Sequence, residues 1–183
     1  MNLNVKETAA TAVMAAVICV LSPVSLPLSG GVPVSLATFA VMLAGELLGS
    51  KCGTLAVLIY IILGMTGLPV FAGYSSGAGI VFGMTGGYIL GYLPLAYICG
   101  MTAEADHSSG WKSMVLRAGG MLAGTAVLYL IGTVWFMKYT GMDLMASLAA
   151  CVIPFLPGDF LKMAIVCVLT PRLMPAVRRL RTA

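Results

Sequence analysis

The chain has 183 residues, of which 60 % are hydrophobic and 9 % are charged. An ordinary soluble domain is roughly 45–50 % apolar and about 25 % charged, so this chain has too few charges to cover a water-soluble surface. The composition therefore excludes soluble enzymes, nucleic-acid-binding proteins and disordered chains. It indicates an all-α, polytopic integral membrane protein that forms a single domain over residues 1–183.

Apolar segments predict the membrane helices, each of which needs about 20 residues, with shorter ones tolerated. In chain order, six helices are predicted at Thr8–Leu21, Val34–Leu48, Gly53–Gly67, Ile80–Met101, Ser113–Phe136, and from Pro157-Gly158 to Leu173. A shorter apolar stretch, Leu144–Ile153, precedes the last helix. Gly49-Ser50-Lys51 leaves room only for a tight turn between the second and third helices.

The net charge of +4 comes from ten Lys and Arg against six Asp and Glu, and its distribution predicts the orientation. If the N-terminus is cytoplasmic, Lys6, Lys51 and Lys112 lie on the inner side, and the outer side keeps only Lys138. The C-terminal region adds four inner arginines, Arg172, Arg178, Arg179 and Arg181. Because basic residues concentrate on the cytoplasmic side of membrane proteins, we expect both termini in the cytoplasm.

Two predicted outer loops, Ser22–Pro33 and Gly67–Gly79, are apolar and carry no charge. Both are interrupted by Pro and Gly. A loop that faces only water would be more polar, so these two loops predict a lid folded over a pocket.

Four glycines recur at intervals of four in the predicted fourth helix: Gly79, Gly83, Gly87 and Gly91. Glycine at this spacing lets another backbone approach closely. One interpretation is tight packing between helices. The other is that the bare backbone near Gly83–Tyr88 forms the floor of a ligand pocket, and the two are compatible.

The last predicted helix begins with a charged pair. Pro157-Gly158 marks the helix start, so Asp159 falls in the first turn, where the helix dipole favours a carboxylate. Lys162 follows three positions later on the same face. Charges within a membrane usually face the bundle interior and pair. The pair is either purely structural or a charged, hydrogen-bonding clamp for the polar group of a ligand.

Catalytic and metal chemistry lack the necessary residues. The single histidine, His107, lies with Glu104 and Asp106 in the inner loop Ala103–Trp111, which is predicted to be solvated. Besides Asp159, Glu46 is the only acid within a predicted membrane helix. The five cysteines lie far apart, at Cys19, Cys52, Cys99, Cys151 and Cys167. We therefore predict no catalytic residue, no metal site, no cofactor and no enzyme activity.

The sequence also has no phosphate-binding loop of the Gly-x-x-x-x-Gly-Lys-Ser/Thr type and no series of acids within the membrane. Ligand capture without an energy source implies a partner. Ala12 and Ala16, with Ala9 and Ala15, form a stripe of small residues on helix 1 that lets another helix approach closely. That helix belongs either to the same bundle or to a partner.

Several runs of residues together resemble a known family. They are Val32-Pro33-Val34-Ser35-Leu36, Gly67-Leu68-Pro69-Val70-Phe71-Ala72-Gly73, Gly83-Met84-Thr85-Gly86-Gly87-Tyr88, and Pro157-Gly158-Asp159 with Lys162. In this order, and over nearly the whole chain, they closely resemble the biotin transporter family BioY, the substrate-binding S components of energy-coupling factor (ECF) transporters. The family commonly has Pro where this chain has Met84, and Gln where it has Ala37.

The resemblance implies six helices in a prokaryotic plasma membrane and high-affinity biotin binding at its outer face. It implies association with a transmembrane coupling subunit and two ATPases, with Ala12 and Ala16 at the interface with the coupling subunit. The sequence leaves three alternatives open: an S component for another small vitamin, an ion-coupled secondary carrier, or a scaffold that binds no small molecule.

The residues agree with the chemistry of biotin, which has a ureido ring, an apolar thioether ring and a carboxylate. Asp159 can accept from a ureido N–H, and Lys162 can donate to the ureido oxygen or the carboxylate. Phe71, Tyr74 and Tyr88 can line the apolar ring and chain. The motifs of the family add Gly73 and Thr85 to the predicted ligand-binding residues.

Overall fold

The computed structural model describes residues 4–26, 32–106 and 110–182, and the side chains of these as far as residue 177. Seven α-helices occur in these ranges: α1 (Val5–Leu21), α2 (Ala37–Met65), α3 (Ala78–Val81), α4 (Gly86–Ala105), α5 (Trp111–Thr140), α6 (Leu144–Cys151) and α7 (Leu156–Thr182). A short antiparallel ribbon pairs β1 (Ser25–Leu26) with β2 (Val34–Ser35). We call the end of the bundle that carries this ribbon the ribbon end.

The second and third predicted helices both lie largely within α2, which breaks at Gly49. Val34 and Ser35, predicted to begin the second helix, form strand β2 instead. This residue has φ 83° and ψ 179°, a conformation that favours glycine. The carbonyl oxygen of Ala44 lies 2.8 Å from the position of a Cβ on Gly53. Nine residues of straight helix would span about 13 Å, so the chain reverses at Gly49 and the two segments, 37–48 and 50–65, pack against each other. The predicted tight turn is confirmed.

The turn at Gly49 is held by an acid at the end of α4. Glu104 lies in the last turn of α4 and accepts from the backbone N–H and the hydroxyl of Ser50, both at 2.9 Å. The Asp106 carboxylate accepts from Arg117 Nε at 2.9 Å and from the Ser113 hydroxyl, and its side chain is only 1 % exposed. Glu104 is exposed, so the prediction of a solvated loop is wrong only for the Asp106 side chain, and His107 lies outside the described residues.

The fourth predicted helix is interrupted. It was expected over Ile80–Met101, but α3 ends at Val81 and α4 begins at Gly86. The indole N–H of Trp135 donates to the carbonyl of Gly83 at 2.9 Å, so this carbonyl has a partner outside the helix. Gly91 lies against Leu128 of α5, with 2.7 Å between the position of a Cβ and the leucine Cδ1. Close packing of α4 on α5 thus uses the glycines beyond the break.

The last helix is longer than predicted. It continues past Leu173 to Thr182, although Pro171 and Pro175 lie inside it. Prolines are tolerated in membrane helices where hydroxyl side chains and neighbouring groups satisfy the freed backbone groups.

Three of the described helices are long and apolar enough to cross a membrane: Ala37–Met65, Trp111–Thr140 and Leu156–Val177. The chain is therefore mostly helical with apolar membrane-span candidates, as the sequence predicts. Six crossings with cytoplasmic termini remain a prediction at this point. Segments α2 and α4 make up most of the buried core, and the ribbon and the loop before α3 cover one end of it.

Candidate ligand-binding site

A cavity of about 420 Å³ opens at the ribbon end. Its volume lies within the range of about 300–1,000 Å³ that is typical of small-molecule sites. Five aromatic side chains contribute to its wall: Tyr60, Phe71, Tyr88, Tyr92 and Tyr139. No charged side chain is among the lining residues, so the cavity suits the apolar body of a ligand.

Phe71 is fixed deep in this wall. Its ring meets that of Tyr60 edge to face, with 5.5 Å between the centroids and 88° between the planes. The Tyr60 hydroxyl lies 2.6 Å from Ser22 Oγ, which also lines the cavity. Gly64 leaves the space for the Phe71 ring, because a Cβ there would collide with it. These contacts preform one side of the cavity.

The loops over the cavity contact each other. The N–H of Gly73 donates to the carbonyl of Pro23 at 3.0 Å, and that of Leu36 donates to Val24 at 3.0 Å. Gly73 has φ 66°, so the approach uses a left-handed conformation. The two loops of the predicted lid therefore contact each other through Gly73 and Pro23. Residues 27–31 of the first loop lie outside the described residues.

The charged pair lies in the first turn of α7, as predicted. Lys162 Nζ is 2.8 Å from Asp159 Oδ1, and the two residues are only 8 % and 2 % exposed. A buried pair of this kind is stable only when further hydrogen bonds satisfy its remaining lone pairs and protons.

These further hydrogen bonds come from three other segments. Lys162 Nζ donates to the carbonyl of Ser35 at 2.8 Å and to Thr38 Oγ1 at 2.9 Å, so all three of its protons have acceptors. Thr38 donates to Asp159 Oδ1 at 3.2 Å, and the Tyr129 hydroxyl donates to Oδ2 at 2.5 Å. We call these five residues the clamp.

The clamp lies beside the large cavity. Asp159 and Lys162 line a small pocket of about 30 Å³. Ser35, Tyr88 and Tyr92 line both this pocket and the large cavity. These shared residues therefore connect the wall of the cavity to the clamp.

The predicted site residues divide into three groups. The cavity is lined by Phe71, Thr85 and Tyr88. The adjoining clamp includes Asp159 and Lys162. Gly73 and Tyr74 are not in the cavity wall. Tyr74 is 69 % exposed and has a left-handed φ of 59°, although its neighbour Ser75 lines the cavity. The side chain of Tyr74 therefore does not contribute to the cavity wall.

Sequence reasoning missed several members of the site. Tyr92 follows Tyr88 by four positions on α4, and this spacing could have indicated a shared face. Thr38 and Tyr129 meet Asp159 across 121 and 30 residues of chain. Such contacts leave no local pattern, so only the folded chain reveals them.

The opposite end of the bundle carries a second group of charges that does not reach the cavity. Arg117 lies 3.3 Å from Glu46 and 2.9 Å from Asp106. Glu46 Oε1 has no hydrogen-bond partner among the described residues. This network joins α2, the end of α4 and α5.

Helix α1 presents two different faces. Ala15 and Ile18 are buried against the bundle, whereas Ala12 and Ala16 are exposed. Among the described residues, no helix of the same chain therefore packs over Ala12 and Ala16. The exposed alanines leave this face open to a partner helix.

The fold is that of a helical bundle with apolar membrane-span candidates, and it carries a cavity of small-molecule size at one end. A family model described as the BioY family matches residues 1–179. Among curated proteins, the biotin transporter BioY of Thermotoga maritima is 36 % identical over 161 residues, covering 88 % of this chain and 91 % of that protein.

A probable biotin transporter BioY of Pyrococcus horikoshii is 36 % identical over 171 residues, covering 93 % of this chain and 98 % of that protein. A crystal structure of the S-component for biotin from an ECF-type ABC transporter has a TM-score of 0.82 at 29 % identity, with 94 % of each chain covered. The chain belongs to the BioY family.

Proposed function

We propose that the chain binds biotin at the ribbon end and acts in biotin uptake as the S component of an ECF-type transporter. The observation that carries this proposal is the buried Asp159–Lys162 pair, which adjoins a cavity of about 420 Å³. The names of the relatives and the similarity to a biotin S-component support the choice of ligand.

The division of labour follows from the chemistry of the site. A carboxylate accepts hydrogen bonds only, so Asp159 serves a ureido N–H. Lys162 donates only, so it serves the ureido oxygen or the ligand carboxylate. Because all three of its protons are already used, a ligand oxygen replaces the Ser35 carbonyl or the Thr38 hydroxyl.

The apolar part of biotin occupies the larger cavity. Phe71 and Tyr88 pack against the thioether ring and the hydrocarbon chain, and Thr85 supplies a hydroxyl at the wall. Gly73 contributes by joining the second loop to the first. Enclosure from water strengthens the polar contacts at the clamp, because electrostatic interactions increase as the local dielectric constant falls.

The membrane arrangement is part of the proposal. Counting the two segments of α2 separately, the crossings are α1, residues 37–48, residues 50–65, α4, α5 and α7. With the N-terminus in the cytoplasm, this order puts the ribbon end outside and the Gly49 turn inside. The C-terminus then lies inside as well, in agreement with the positive-inside rule. We assign the chain to the prokaryotic plasma membrane as a multi-pass protein.

Transport requires partners in this proposal. A coupling subunit contacts the face of α1 that carries Ala12 and Ala16, and two ATPases supply the energy. The exposure of both alanines on α1 supports this surface. Small residues let helix backbones approach closely in lipid, where packing drives association.

The direct test is a titration of the purified chain in detergent. Trp135 provides an intrinsic reporter, because its indole N–H binds the carbonyl of Gly83, which lines the cavity. In a Trp111→Phe background, Trp135 is the only tryptophan. We expect saturable binding of one biotin per chain, with no change on adding riboflavin, thiamine or folate.

Other outcomes identify the alternatives. Tight binding of a different vitamin makes the chain an S component for that compound. Uptake into vesicles driven by an ion gradient without ATPases indicates a secondary carrier. The absence of binding to every member of the panel contradicts the proposal.

A further inference from the structure

Tyr129 lies on α5 and belongs to none of the sequence motifs described above. Its hydroxyl donates to Asp159 Oδ2 at 2.5 Å. O–H···O⁻ bonds of about 2.5–2.7 Å are charge-assisted and roughly twice as strong as bonds between neutral groups. This single contact therefore holds one oxygen of the carboxylate in a fixed direction.

The two oxygens of Asp159 are used differently. Each carboxylate oxygen has about two acceptor sites. Oδ1 accepts from Lys162 at 2.8 Å and from Thr38 at 3.2 Å, so its sites are filled. Among the described residues, Oδ2 accepts from Tyr129 alone. The remaining acceptor site of the carboxylate is therefore on the oxygen that Tyr129 holds.

We propose that Tyr129 is a positioning residue that directs Asp159 Oδ2 toward a ureido N–H of the ligand. The tyrosine acts through the aspartate: it occupies one acceptor site and leaves the other aimed at the binding cavity. This inference rests on the proposed biotin-binding function. It adds a residue on α5 to a clamp otherwise formed by α7 and the segment that leads into α2.

The ring of Tyr129 has a second use that guides the choice of variant. A separate cavity of about 180 Å³ lies between α5 and α7, next to the half-exposed side chains of Leu122 and Phe160. Tyr129 and Asp159 line both this cavity and the small pocket at the clamp. The ring is thus part of the wall between the two spaces. Tyr129→Phe keeps this wall and removes only the hydroxyl.

The experiment combines this variant with altered ligands. The ligands are biotin and two cyclic carbamate analogues, each with one ureido N–H replaced by oxygen. Affinities are measured by calorimetry for the wild-type chain, for Tyr129→Phe, and for Tyr97→Phe as a matched control. Tyr97 lies on α4, is largely exposed and is absent from the cavity walls.

We expect Tyr129→Phe to bind biotin about tenfold more weakly, as for loss of one hydrogen bond to a charged group. The wild-type chain already binds the analogue that lacks the N–H facing Oδ2 weakly. For this analogue, Tyr129→Phe lowers the affinity by less than twofold relative to the wild type. The other analogue shows the tenfold loss, and Tyr97→Phe changes nothing.

Three results overturn the inference. Equal losses for all three ligands show that Tyr129 only maintains the structure, while the proposed function stands. No effect of Tyr129→Phe on biotin affinity shows that the hydroxyl does not position Asp159 for binding, and the proposed function again stands. Failure of the wild-type chain to bind biotin removes the proposed function and this inference together.

Discussion

Replacement of Asp159 by Asn separates the two roles of the clamp, ligand binding and stability. The amide is nearly isosteric with the carboxylate but carries no charge. A hydrogen bond to a charged group contributes about 1.5–3 kcal/mol, so we expect biotin binding to weaken by about 10- to 150-fold. Calorimetric titration in detergent measures this change directly.

The same substitution leaves Lys162 buried without its counter-charge. The ammonium is 2.8 Å from Asp159 Oδ1 and only 8 % exposed as a residue. Breaking a buried ion pair by removing one partner costs about 3–5 kcal/mol of stability. Asp159→Asn is therefore expected to lower the thermal midpoint in detergent as well as the affinity.

A double variant distinguishes these effects. Asp159→Asn combined with Lys162→Met removes both charges, so no buried charge is left without its partner. We expect the double variant to recover most of the lost stability without recovering biotin binding. Wild-type affinity in Asp159→Asn, or recovery of binding in the double variant, would refute the reasoning.

Two further predictions concern packing and partnership. Gly64→Ala places a Cβ against the Phe71 ring. It should therefore destabilise the chain by about 1–3 kcal/mol in thermal unfolding and weaken biotin binding in calorimetry. Gly119→Ala has open space around it and should change neither the stability nor the affinity. Ala12→Trp should abolish biotin uptake in vesicles that contain the complete ECF module while leaving the biotin Kd unchanged. Leu130→Trp, on an exposed part of α5, should leave both uptake and Kd intact. Uptake by Ala12→Trp at the wild-type rate contradicts the proposed docking surface.

Features that depend on local sequence were predictable. The apolar segments indicate the long helices, and Gly49 marks the reversal within α2 because glycine readily adopts φ 83°. The spacing of Asp159 and Lys162 also places both on one face of a helix, and the structure pairs them at 2.8 Å.

Features that depend on the meeting of distant segments were not predictable. The contact between Glu104 and Ser50, 54 residues away, is one example, because nothing near Glu104 in the sequence reveals it. Phe71 and Tyr74 both follow Pro69 in the same loop, and only the backbone turn between them decides which one enters the cavity. In each case the deciding contact is tertiary, so composition and periodicity carry no information on it.

The hydrogen bond from Lys162 to the Ser35 carbonyl joins residues 127 positions apart. Since the chain is synthesised from its N-terminus to its C-terminus, the first loop leaves the ribosome long before α7, the helix that supplies the ammonium group. The proposed biotin site is therefore completed only when α7 has entered the bilayer. Partly synthesised or incompletely inserted chains lack it, and retention on immobilised biotin would select for molecules whose biogenesis is finished.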